Sequence, residues 1–144
     1  MKKNILFLCT GNSCRSQMAE GWAKSLKGRE YNFFSAGTKK HDLNKRAIEV
    51  MNEAGVDISH HCSNTTEELP EVQMDYVFTV CSDAHENCPY FPGGKIIHVG
   101  FDDPPQLSQS IDNEEEILTI YRRVRDEIKE FVTNIEKYMD DNHE

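Results

Sequence analysis

The sequence predicts an α/β fold: a four-stranded parallel sheet in the order 2-1-3-4, with helices on both faces. Two observations predict it. Strand-like and helix-like patterns alternate along the chain with short connections, which implies parallel strands joined by helical crossovers. The first strand candidate, Asn4 to Cys9, is also a near-continuous apolar run, as expected of a strand buried on both faces.

The elements follow in order. From Ser16 the period turns helical, with Met18, Ala19, Trp22, Ala23 and Leu26 on one face and Gly28 as a stop. Tyr31 to Ser35 reads as the second strand, closed by the turn residues Ala36-Gly37-Thr38. Asn44 can cap a helix whose inward residues are Ala47, Met51 and Ala54, with Gly55 past its end. Tyr76 to Val80 and Lys95 to Val99 supply the third and fourth strands, and Pro104-Pro105 breaks the chain. Ile117, Tyr121, Val124, Ile128, Phe131, Ile135 and Met139 then form an apolar stripe over about six turns. Asp112 with Glu115 fits a capping box for this last helix, which should pack across the sheet with Arg122, Arg123 and Arg125 on its solvated side.

At 144 residues the chain is one domain by length. Its net charge of -9 argues against nucleic acid or an anionic membrane as partner, so an anionic substrate must be drawn by a local site. No apolar stretch approaches the roughly 18 residues of a membrane span, and the basic start carries no signal-peptide pattern. The expected location is the cytoplasm and the expected state a monomer. Five cysteines, at 9, 14, 62, 81 and 88, make an odd count without a Cys-x-x-Cys pair. In a reducing compartment they suggest catalysis or metal binding rather than a disulfide framework, and without such a pair a zinc ribbon has little support.

The strand order places the crevice at the carboxyl ends of the first and third strands, where Cys9 and Cys81 stand. Cys9-Thr10-Gly11-Asn12-Ser13-Cys14-Arg15-Ser16 spans the first strand-to-helix turn. Gly11 and Asn12 permit a tight loop, and successive amides from Thr10 to Arg15 can form a nest completed by the helix start. Arg15 adds a planar fork for two oxygens of an oxyanion. The same positive field favours a Cys9 thiolate, and the Ser16 hydroxyl can donate to it. Cys14 is expected to pack beneath the loop.

The Cys-x5-Arg-Ser loop followed by Met-Ala-Glu, with Ser35-Ala36-Gly37-Thr38, resembles the low-molecular-weight protein tyrosine phosphatases, whose fold is flavodoxin-like. Their general acid is an aspartate before proline in a late loop. Here that matches Asp103-Pro104, with Asp102 as its neighbour.

A phosphatase needs only Cys9, Arg15 and Asp103, yet Cys81 stands where the third strand ends and Cys88 follows seven positions later. Adjacent strands are about 4.8 Å apart, so a sulfur at Cys81 is within reach of one bound to Cys9. If the segment between Cys81 and Cys88 is helical, they must approach by unwinding or looping out.

The full set resembles the thioredoxin-coupled arsenate reductases of the same superfamily. That resemblance includes Cys-Ser-Asp-Ala at 81–84, Cys88-Pro89, Gly100 to Pro104 and Arg123 to Glu127. It implies reduction of arsenate to arsenite through a Cys9–Cys81–Cys88 relay, with thioredoxin as reductant and no flavin, nicotinamide or catalytic metal. Some relatives bind a potassium ion beside the loop. Asn12, Glu20 and Ser35 match that site, while Asn64 replaces its carboxylate. Cys62 has no role in this scheme. The alternative is a phosphatase for phosphotyrosine or small phosphomonoesters, with Cys81 and Cys88 guarding Cys9 against oxidation.

Overall fold

The computed structural model describes residues 2–39, 42–80 and 94–141. Four parallel strands, β1 (Lys3–Cys9), β2 (Tyr31–Gly37), β3 (Tyr76–Thr79) and β4 (Lys95–His98), lie in the order β2-β1-β3-β4. The predicted order is therefore the observed one. Ile5 to Leu8 are fully buried because β1 is flanked by strands and covered on both faces.

On one face Ile5, Phe7, Phe33, Tyr76, Phe78 and Ile97 meet the helices α1 (Arg15–Lys27), α2 (Lys45–Glu53) and α4 (Glu114–Thr133). Phe131 of α4 packs edge-on against both Phe7 and Phe78, at centroid distances of 6.1 and 5.2 Å. On the other face Leu6, Leu8, Ala36, Val77 and Val80 pack with Met74, Leu69 and Phe101. Among the described residues Phe34 is also partly buried against this second cluster.

Several local expectations need correction. Leu26 is exposed, because the burial of α1 ends at Ala23. β2 continues through Ala36 and Gly37, since Gly37 still pairs with Cys9. In α2, Asn44 does cap, accepting from Arg46 N and Ala47 N, but Val50 takes the inward place expected of Ala54, which lies at the helix end.

Pro104-Pro105 does not break the chain. The pair starts the short helix α3 (Pro104–Leu107), where a proline's missing N–H costs nothing. Asn113, not Asp112, caps α4, accepting from Glu116 N. The long stripe is divided at Asn134, after which α5 (Ile135–Asp141) continues it with Ile135 and Met139 buried. Arg125 is not on a solvated side: its Nη1 donates to Val50 O at 2.9 Å, and Glu53 lies beside it.

Candidate active site

The loop from Cys9 to Cys14 leaves β1 at its carboxyl end and feeds α1. Each of its six carbonyl oxygens is held by a donor outside the loop. Cys9 O accepts from Thr38 N (3.2 Å), Thr10 O from Lys39 N (2.8 Å), Ser13 O from Asn44 N (2.9 Å) and Cys14 O from Met18 N (2.9 Å). Gly11 O accepts from Ser63 Oγ (2.9 Å) and Asn12 O from Gln17 Nε2 (3.1 Å). Across a trans peptide the carbonyl and the following N–H point opposite ways, and no described peptide is cis. The amides of Thr10 to Arg15 therefore face away from those donors, the arrangement that an anion nest at the start of a helix requires.

Two backbone features make the turn possible. Asn12 is left-handed, with φ at 50°, a conformation that asparagine tolerates better than most residues. Gly37 lies so close that a Cβ there would sit 2.7 Å from Thr10 O and 2.8 Å from both Asn12 N and Lys39 O. Only glycine allows β2 to support the loop this closely.

Arg15 is nearly buried, and its guanidinium is divided between two tasks. Nη1 donates to Phe101 O at 2.9 Å. Nη2 lies 3.7 Å from Asp103 Oδ2, and the buried Nε has no protein partner among the described residues. The Nε–Nη2 edge has the planar fork geometry that suits two oxygens of a tetrahedral anion. A buried, unsatisfied donor on that edge fits such a ligand.

Asp103 caps α3 by position but makes no capping hydrogen bond. Asp102, its neighbour, is held by Arg123 Nη2 at 3.1 Å. Of the two carboxylates, Asp103 is therefore the one directed at Arg15 and the anion loop.

Cys9 is a buried thiol at the loop's first position. Ser16 donates its hydroxyl hydrogen to Asn12 Oδ1 at 2.8 Å, so the hydrogen expected to face Cys9 is engaged at Asn12. Cys14 packs beneath the loop, and burial pushes its thiol up to about 12 against the pull of Arg15. Burial thus favours the thiol over the thiolate at this position. Cys62 is exposed, and Cys81 and Cys88 lie outside the described residues. Val80, the residue before Cys81, donates its N–H to Leu8 O at 2.9 Å, beside the start of the loop.

The four positions matched to a potassium site do not fit one. Glu20 Oε2 is 2.5 Å from Lys24 Nζ, and Oε1 accepts a hydrogen bond from Ser35 Oγ. Asn12 Nδ2 donates to Asn64 O at 3.3 Å, and Asn64 Nδ2 donates to Cys62 O at 3.2 Å. The one carboxylate of the set already has an ammonium partner, and Asn64 brings no charge to replace it.

Gln17, Gly37, Asn44 and Ser63 also support the loop, and the loop motif itself does not point to them. Gln17 carried a faint signal, as a polar side chain next to the apolar residues of α1. The others reach the loop only through the tertiary fold.

Residues 4–144 match the family model described as low molecular weight phosphotyrosine protein phosphatase. The chain belongs to this family. Arsenate reductase 2 of Staphylococcus saprophyticus is 49% identical over 138 residues, covering 92% of this chain and 98% of that protein. A solved arsenate reductase in the reduced state is 33% identical, with a TM-score of 0.72 and coverage of 94% and 96% of the two chains. A thioredoxin-dependent arsenate reductase from Corynebacterium glutamicum is 25% identical with a TM-score of 0.62, covering 94% of this chain and 62% of that one. The fold, the loop and these likenesses agree with the resemblance read from the sequence. Among the described residues, no helix is long and apolar enough to cross a membrane.

Proposed function

We propose that this protein reduces arsenate to arsenite. The observation that carries the reading is the anion loop, with its six carbonyls held from outside, a buried Cys9 at its first position and an unpartnered Nε on Arg15 at its end. The likeness to proteins named arsenate reductase supports the choice of arsenic over phosphorus.

The amides of Thr10, Gly11, Asn12, Ser13, Cys14 and Arg15, with the Arg15 fork, hold arsenate. Cys9 thiolate attacks arsenic while Asp103 protonates the departing oxygen, which leaves as water. Cys81 thiolate then attacks the Cys9 sulfur. The sulfur–arsenic bond breaks with its electron pair staying on arsenic, which falls from As(V) to As(III) and leaves as arsenite. A Cys9–Cys81 disulfide remains. Cys88 attacks Cys81, restoring the Cys9 thiolate and moving the disulfide to Cys81–Cys88 for thioredoxin to reduce. The two electrons come from the chain's own thiols, so the scheme uses no bound cofactor and no metal. Ser16 supports the loop through Asn12. The enzyme acts as a cytoplasmic monomer, where the thioredoxin system keeps thiols reduced.

The test is arsenite release with thioredoxin, thioredoxin reductase and NADPH, compared with glutathione and glutaredoxin. Cys81→Ser and Cys88→Ser should each abolish multiple turnover of arsenate and spare any hydrolysis of phosphomonoesters. Arsenate turnover that survives either substitution excludes the relay. Hydrolysis without arsenite release favours the phosphatase alternative with Cys9, Arg15 and Asp103.

A further inference from the structure

We propose that Gln17, held in orientation by His61, is a positioning residue that sets which way the Asn12–Ser13 peptide faces in the anion loop. The inference deepens the oxyanion-site reading above and rests on it.

Gln17 is fully buried on the first turn of α1. Its Nε2 donates to Asn12 O at 3.1 Å and to Cys62 O at 3.0 Å. Both partners are carbonyls, which only accept, so the orientation of the amide is fixed and Oε1 must face the other way. Oε1 lies 2.9 Å from His61 Nδ1, which must therefore carry the hydrogen and donate it. Three hydrogen bonds lock one side chain. None of them reaches the substrate site directly.

What the lock controls is a peptide plane. Asn12 is the described non-glycine residue with positive φ, where the chain can exchange conformations by rotating the following peptide. Its carbonyl must point away from the loop for the Ser13 N–H to point in. The other five loop carbonyls are held by backbone N–H groups or by Ser63, whereas this one depends on the Gln17 amide. Without that donor, a flipped peptide would aim a carbonyl oxygen at an anion and remove a donor from it. The effect on oxyanion binding and on the Cys9 thiolate is then large compared with the effect on the fold.

Inorganic phosphate is the probe, with its affinity measured by calorimetry on the full chain. The second readout is the pH profile of Cys9 alkylation by iodoacetamide, followed by peptide mass spectrometry. Gln17→Met, which keeps shape and loses the amide, should weaken phosphate binding roughly tenfold or more, the scale of a hydrogen bond serving a charged group. It should also move the alkylation midpoint to higher pH. His61→Leu should shift both readouts the same way, and His61→Asn, which retains a donor near the Nδ1 position, should restore both.

A folded Gln17→Met protein with parental phosphate affinity and parental alkylation profile would overturn the proposal. If that variant does not fold, the histidine pair decides, and equal behaviour of His61→Leu and His61→Asn overturns it. Neither readout requires arsenate turnover, so failure here is distinct from failure of the reductase reading.

Discussion

Arg15 Nη1 donates to the carbonyl oxygen of Phe101 at 2.9 Å, joining stretches of chain 86 positions apart. One hydrogen bond thus ties the anion loop after β1 to the segment that carries Asp103 after β4. The bond also fixes the rotation of the guanidinium. With Nη1 committed to a carbonyl, the Nε–Nη2 edge is left for other partners, and its Nη2 lies 3.7 Å from the Asp103 carboxylate. In the proposed mechanism, substrate grip and acid placement would share this one side chain.

Arg15→Lys tests this coupling. Lysine keeps the charge but is a point donor without a fork, and it cannot hold both Phe101 and two oxygens of the anion. The expected loss in kcat/KM for arsenate is roughly 10²-fold or more, about 2.7 kcal/mol. Phosphate affinity should fall with it. Parental kcat/KM in Arg15→Lys would mean that charge alone suffices.

Asp103→Asn separates chemistry from binding. The amide cannot deliver a proton, so kcat should fall on the order of 10²-fold or more. The substitution also removes a negative charge beside Arg15, so phosphate affinity should hold or rise. Asp102→Asn breaks the contact with Arg123 and should leave kcat within about threefold. The reverse ranking of the two variants would transfer the acid role to Asp102.

The sequence was most legible where short-range chemistry determines structure. The anion loop and the first two residues of α1 form eight contiguous residues, Cys9 to Ser16, whose backbone, glycine and arginine lie together in the chain, and the buried β1 reads as a near-continuous apolar run. Its supports were hidden. Ser63 comes from 52 positions away, and Asn44 donates to Ser13 O only because α2 packs where it does. The start of α4 was ambiguous because Asp112 and Asn113 are both good caps, and it is Asn113 whose side chain accepts from Glu116 N. Arg125 was misread because helical periodicity does not reveal that Val50 and Glu53 of α2 lie within its reach.

Gly37→Ala probes the closest backbone approach at the site. The three atoms nearest the added Cβ are all backbone, at 2.7 to 2.8 Å, so no flexible side chain can move aside. Either β2 or the loop must shift. We expect about 1–3 kcal/mol of destabilisation, as for other overpacked sites, together with weaker phosphate binding. Measuring both in one variant tests whether they move together. A Gly37→Ala protein with parental stability would show that the loop yields without cost.

His61 makes stability depend on pH in a window of its own. Burial holds its imidazole below the usual value, against the opposing pull of Glu20. In the unfolded chain a histidine takes up a proton near pH 6.5. Below that pH the unfolded state binds more protons than the folded state, so stability falls as pH falls. The fall stops once the folded imidazole also protonates.

Glu53, hydrogen-bonded by Arg122, and Glu114, hydrogen-bonded by Arg46, are held below the ordinary carboxylate range. Their contribution is complete above the unfolded carboxylate value of about 4.3 and is lost as pH falls through their folded values. Two separate slopes should therefore appear in the thermal midpoint, one starting near pH 6.5 and one below about pH 4.5. His61→Asn should flatten the first and leave the second. If the slope near neutrality persists in His61→Asn, another group must cause it.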